Sequence, residues 1–247
     1  MDRIIKITLG LLIAILVVTI AFTGYTGYVS GSYEKTKTSS FSYTLSLTTD
    51  HALSDVTLFI PVPADSSGNS PIVSQYSAQA MPGVPASWET TLFDTGKATL
   101  LKIHIAELIL PEGTSTNKPY TVTFTSELPS ETTIDTIGPV ANSAVFRTIQ
   151  NLRPADCAGS GAGIGGNPEC STFTTTLYAD YTADPNTAVT ITSAITGTNH
   201  WTVFEPKSNE YTSVISVLMH GENHGWATVK GTLESHIGSY DYPFQIS

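Results

Sequence analysis

The run His220-Gly221-Glu222-Asn223-His224-Gly225 is the one cluster in this chain with the residue types of a chemical site. Two imidazoles four positions apart, with a carboxylate between them, can hold zinc if a third ligand converges on them. On a helix that spacing places both rings on one face. Here the run joins an apolar alternation ending at Met219 to another starting at Trp226, so Gly221 and Gly225 read as corners of a hairpin loop. His200 and His236 are candidates for a third ligand, and solvated turn histidines are the competing reading. His220, Glu222 and His224 are therefore the metal candidates; no catalytic residue and no cofactor are expected.

Two other local patterns bear on chemistry. Cys157 and Cys170, the only cysteines, flank the glycine-rich stretch AGSGAGIGGNPE and are expected to pair if the chain is exported. Closing that loop limits unfolded-chain entropy by about 3 kcal/mol in the chain-closure description. Gly161, Gly163 and Gly166 also spell the dinucleotide fingerprint G-x-G-x-x-G, but Pro168 and Cys170 interrupt the helix which that motif needs. The stretch reads as a pliable display loop or a tolerated insertion. No nucleophile elbow, phosphate loop or EF-hand spacing occurs. Asp180 and Asp184, with Asn186, could offer oxygens to calcium, against an Asx-type turn around Asp184-Pro185-Asn186.

Aromatic residues suggest binding rather than catalysis. Trp88, Trp201 and Trp226, among eleven tyrosines, could form a platform for sugar rings or for another protein. Each also sits in an alternating pattern, where a tryptophan is normally core.

These residues are carried by a chain with a distinct leader. From Ile7 to Tyr33 there is no charged side chain. Its densest part runs from Ile7 to Phe22, and continuing to Tyr28 gives a helix of roughly 33 Å, enough to cross a hydrocarbon layer of ~30 Å. Tyr25, Tyr28 and Tyr33 follow at the exit, where amphipathic rings favour the headgroup zone, and Arg3 and Lys6 stand at the other end. A signal peptide cleaved near Val29-Ser30-Gly31 is the alternative, which would leave the remainder secreted. Gly27 and Gly31 match a small-residue helix-dimer spacing and read here as the end of the helix.

Composition bounds the rest. The charged fraction is 13%, about half the usual quarter, while about one residue in seven is threonine. A formal net charge of −10 with only 11 Lys and Arg argues against nucleic acid as a partner.

Periodicity sets the expected fold class. Phe41, Tyr43, Leu45 and Leu47 alternate with Ser42, Thr44 and Ser46; Val56, Leu58, Ile60 and Val62 repeat the pattern. Similar short runs recur to the C-terminus, His104 falling at a polar position of one of them, with no sustained 3.6-residue apolar repeat. The expectation is all-β: an antiparallel immunoglobulin-like or Greek-key β-sandwich of about a dozen strands after an N-terminal transmembrane α-helix. Residues 1–31 form the anchor, 32–39 a polar stalk and 40–247 the extracytoplasmic body, which could divide near 151–170. The proline-broken stretch Pro63 to Ser87 reads as a long surface loop.

The layout of Ile7–Phe22, FSYTLSL at Phe41–Leu47 and LFIPVP at Leu58–Pro63 resembles singly anchored archaeal surface proteins with a threonine-rich β-sandwich. That resemblance implies an envelope location and no functional residue. The expected function is that of a membrane-anchored extracellular structural, adhesion or interaction protein without catalysis. Three alternatives accompany it: a filament or lattice subunit using strand addition through Ser39–Thr48 or Tyr240–Ile246, a carbohydrate-binding module, or a zinc site at His220 and His224. Partners are the bilayer through the leader helix, and other envelope proteins, glycans or further copies of the chain.

Overall fold

A computed structural model describes residues 2–76, 84–85, 87–96, 98–147, 149–156 and 168–240. Helix α1 spans Asp2–Thr36, about 52 Å at 1.5 Å per residue. Strand β1 (Thr38–Thr49) follows after a single residue, then β2 (Leu53–Pro61), β3 (Pro63–Ala64) and helix α2 (Pro71–Tyr76). Next come β4 (Glu89–Asp94), β5 (Thr99–Leu108), β6 (Tyr120–Ser130), helix α3 (Pro139–Asn142), β7 (Val145–Phe146) and β8 (Gln150–Ala155). Four long strands complete the body: β9 (Glu169–Thr182), β10 (Ala188–Thr202), β11 (Pro206–His220) and β12 (Asn223–Gly238).

The fold is mostly antiparallel β, as the alternation requires. The ladders form one continuous sheet in the order β4-β5-β2-β9-β12-β11-β10-β1-β6, with β8 added on β9, and β3 and β7 form a separate pair. Connection length shows that this sheet is curled. Four strands lie between β1 and β2 in that order, so a flat sheet would hold them about 24 Å apart at ~4.8 Å per strand. The link from Thr49 to Leu53 reaches at most roughly 14 Å. The sheet therefore bends over until β1 faces β2.

The bend lies at β11 and β12. Their ladder runs from Asn209↔Gly238 to Ser216↔Lys230, broken by a register shift between Glu210 and Thr212. Beyond Ser216, β11 continues on β10 to His220, whereas β12 continues on β9 from Asn223. The two strands thus part at the corner of the histidine run, one joining each layer. Between the layers lies one core, with Tyr43, Leu58, Leu101, Phe124, Leu177 and Ile191 each under 2% exposed.

Two expectations about boundaries change. The stalk expected at 32–39 is continuous structure: α1 runs on past Gly27 and Gly31 to Thr36, and β1 begins at Thr38. Val29 and Tyr33, four positions apart on one helix face, are buried against the body, with Tyr33 edge-on to Trp201 at 5.9 Å. The expected Pro63–Ser87 loop contains β3 and α2, and Ile72 of α2 is 1% exposed. Strands from both sides of the glycine-rich stretch interleave, since β9 pairs with β2 as well as β12.

Candidate functional site: an exposed aromatic row

Pairing register places four aromatic rings side by side on the outward face. On β2, β9 and β12 the inward positions are taken by Leu58, Leu177, Ala179 and Val229, so Phe59, Tyr178 and Trp226 must point out. Trp226 is opposite Tyr178, and Tyr178 is opposite Phe59. Their centroids are 5.5 and 5.6 Å apart, and Phe93 of β4 reaches across to Phe59 at 5.7 Å. Each contact is edge-to-face, at 71–76° between planes, the arrangement that ring quadrupoles favour. Trp226 is 62% and Phe93 51% exposed. The row spans five adjacent strands, with the β5 position opposite Phe59 occupied by Lys102.

A polar row runs beside it, two residues along each strand. His224 stands opposite Asp180, Asp180 opposite Thr57, and Thr57 opposite His104. His224 Nδ1 lies 2.7 Å from Asp180 Oδ1, the Tyr178 hydroxyl donates to Asp180 at 3.1 Å, and Thr57 is 3.3 Å from His104 Nδ1. The hydrogen bond that His224 donates to Asp180 raises the His224 pKa above its ordinary value, and His224 and then Tyr178 lower that of Asp180. An anion that accepts bonds from both neighbours favours its charged form. The face thus offers flat apolar rings flanked by fixed hydrogen-bonding groups.

The histidine run does not assemble as the zinc reading requires. His224 turns to Asp180, with Glu222 3.8 Å from its other nitrogen. His220 belongs to the opposite layer, paired in register with Ala188 of β10. Among the described residues no group of three His, Cys, Asp or Glu side chains is placed to hold a metal ion. The reason is the parting of β11 and β12, which sends the two imidazoles to different ladders. Gly221 does turn the corner, at φ 70°, where a side chain would strain the backbone. Of the calcium candidates, Asp180 is engaged by His224, and at Asp184 the Thr187 amide donates to the backbone carbonyl at 2.9 Å, closing the turn that is the competing reading.

Of the three tryptophans, only Trp226 is in the face. Trp88 is 8% exposed and edge-on to Phe124 at 5.3 Å; Trp201 is 2% exposed against Tyr33. Both are core, so the platform of three tryptophans is corrected to one tryptophan with Phe59, Tyr178 and Phe93. Those three were missed in the sequence, although Phe59 and Tyr178 each have a signal: an aromatic out of phase with its buried neighbours, as in Leu58-Phe59-Ile60. Cys170 lies in β9, while Cys157 and the Gly161–Gly166 pattern fall outside the described residues. A separate cleft is lined in part by Asp65, Asn69, Glu131, Thr132 and Asn142. Its Asp65 carboxylate is engaged by the Ser67 and Asn69 amides, holding a turn. No family model, curated protein or solved structure matches the chain.

Proposed function

We propose that this chain is a membrane-tethered surface protein that binds neutral carbohydrate through the row Trp226–Tyr178–Phe59–Phe93, without catalysing a reaction. The observation that carries the reading is that row, exposed and bordered by Asp180, His224 and His104. Sugar rings present apolar C–H faces and a rim of hydroxyls, so they match rings for stacking beside groups that donate and accept. Net charge of −10 disfavours acidic glycans.

The tether fits this role. Within α1 the 34 residues from Arg3 to Thr36 have the length and apolar composition to span a membrane. Burial of Val29 and Tyr33 against the body supports retention of the helix over cleavage at Val29–Gly31. The expected pairing of Cys170 with Cys157, which would suit an oxidising exterior, involves a residue outside those described. The row also lies away from the tether: Trp201 and Ala188 are at opposite ends of β10, on the order of 40 Å along the strand at ~3.3 Å per residue, and Trp226 is near the Ala188 end. The order β9-β12-β11-β10 is read as a Greek key within a sandwich-like curl.

The test is a neutral-glycan panel against the full chain in lipid nanodiscs. Trp226→Ala and Tyr178→Ala should each weaken binding by about tenfold or more, while Leu218→Ala on the other layer leaves it unchanged. Binding that survives both ring deletions, or a folded protein that binds no member, overturns the proposal. A second reading, assembly by strand addition, is favoured by β6, which among the described residues pairs along Tyr120–Ser130 with β1 alone and so presents an edge. β1 itself is paired on both sides and cannot be the donor. Light scattering that rises with concentration, and is abolished by Thr123→Pro, would establish it.

A further inference from the structure

We infer that the corner between β10 and β11 is a membrane-docking surface, with Phe204 seated in the headgroup zone of the bilayer; this rests on the reading of α1 as a spanning helix. The placement follows from depth along that helix. Twenty residues suffice to cross a ~30 Å hydrocarbon layer, and counted from Ile7, after the last cation of the N-terminal end, they reach Thr26. Tyr25 and Tyr28 therefore mark the outer rim.

Phe204 belongs to the body, yet its ring lies on those two tyrosines. It is stacked on Tyr25 at 6.2 Å and 15°, and tilted against Tyr28 at 5.8 Å. All three rings remain exposed: Phe204 by 69%, Tyr25 by 57% and Tyr28 by 59%. A phenylalanine this exposed at the tip of a polar, threonine-rich body is costly in water and favourable at an interface that already holds aromatic rings.

The corner cannot swing away, because the join is stiff. Tyr33 packs on Trp201, and Thr36 Oγ1 donates to the Thr202 carbonyl and accepts from the Thr202 amide, both at 2.9 Å. Charge does not choose the lipid: Lys37 is 3.4 Å from Glu34, and Lys207 3.8 Å from Glu205, so the nearby cations are largely offset. The occupant is the interfacial zone of a phospholipid bilayer, engaged through rings. The consequence is a body that sits on the membrane at a fixed angle and presents the distal aromatic row outward.

Spin labels at Leu16→Cys, Phe204→Cys and Leu218→Cys, one per variant of the full chain in phosphatidylcholine nanodiscs, test this. The readout is the ratio of collisions with oxygen to collisions with an aqueous nickel complex. The expected ratio is highest at 16, lowest at 218, and several-fold higher at 204 than at 218. If 204 matches 218 while 16 is lipid-exposed, docking is overturned and the spanning helix stands. If 16 also matches 218, the spanning reading falls and docking with it.

Discussion

Replacing Asn199 by alanine removes the amide that fastens the segment after β6 to the curled sheet. Asn199 is fully buried on β10, opposite the equally buried Asn209 on β11. Its Oδ1 accepts from the Ile134 amide at 2.9 Å and from Ser39 Oγ at 2.7 Å; its Nδ2 donates to the Ile134 carbonyl at 2.9 Å and to Asn209 Oδ1 at 2.8 Å. At about 1 kcal/mol net for each of these hydrogen bonds, the loss is about 4 kcal/mol. In a body of this size 1 kcal/mol moves the melting temperature by about 2–4 °C, so the variant should melt roughly 8–16 °C lower. Circular dichroism on the full chain in nanodiscs reads the shift, and hydrogen exchange reads the Ile134 amide, which should lose protection well before the β1–β10 ladder does. A drop of under about 3 °C with Ile134 still protected would refute the reasoning, because it would mean that the amide network does not fasten this segment.

The His224–Asp180 pair gives a pH signature. Hydrogen bonding raises the His224 pKa in the folded protein, so the pair's contribution is complete below the ordinary histidine value of about 6.5 and is lost as pH rises through the folded value. An NMR titration should place His224 above 6.5, and Asp180→Asn should bring it back down; an unchanged midpoint in that variant contradicts the pairing. Asp50 behaves oppositely. Burial alone would raise its pKa, but the Ala188 amide, His51 and Thr116 more than offset this and hold it below the ordinary carboxylate value. Its contribution is therefore present above about pH 4 and lost as pH falls through the lowered folded value. Asp50→Asn should destabilise the protein at neutral pH and flatten the acid limb of its stability profile, whereas an acid limb identical to that of the parent would show that Asp50 carries none of it.

Alternation made the strands legible because one-sided burial leaves a local trace. Tyr43, Leu45 and Leu47, and then Val56, Leu58 and Ile60, are buried as their phase requires. Which strands pair leaves no such trace, so the single curled sheet became visible only through the β1–β2 link and the parting of β11 from β12. The supposed stalk failed for a related reason: Val29 and Tyr33 look unremarkable among serines and glycines until Trp201 arrives from the far end of β10. The aromatic row is also a product of register. Phe59, Phe93, Tyr178 and Trp226 are scattered over nearly 170 positions, and only the ladders from β4 to β12 bring them together. Local spacing drew attention to the histidine run instead, and the sheet divides that run between its two layers.

The most direct measurement is tryptophan fluorescence of the full chain in nanodiscs during titration with a neutral oligosaccharide drawn from the panel. Trp88 and Trp201 are buried, so a ligand stacking on the outward face should perturb Trp226 alone. The expected result is a saturable spectral change that vanishes in Trp226→Phe while the fold is retained. A change that persists in that variant, or a silent spectrum across every glycan offered, would contradict the assignment of this face as the binding surface.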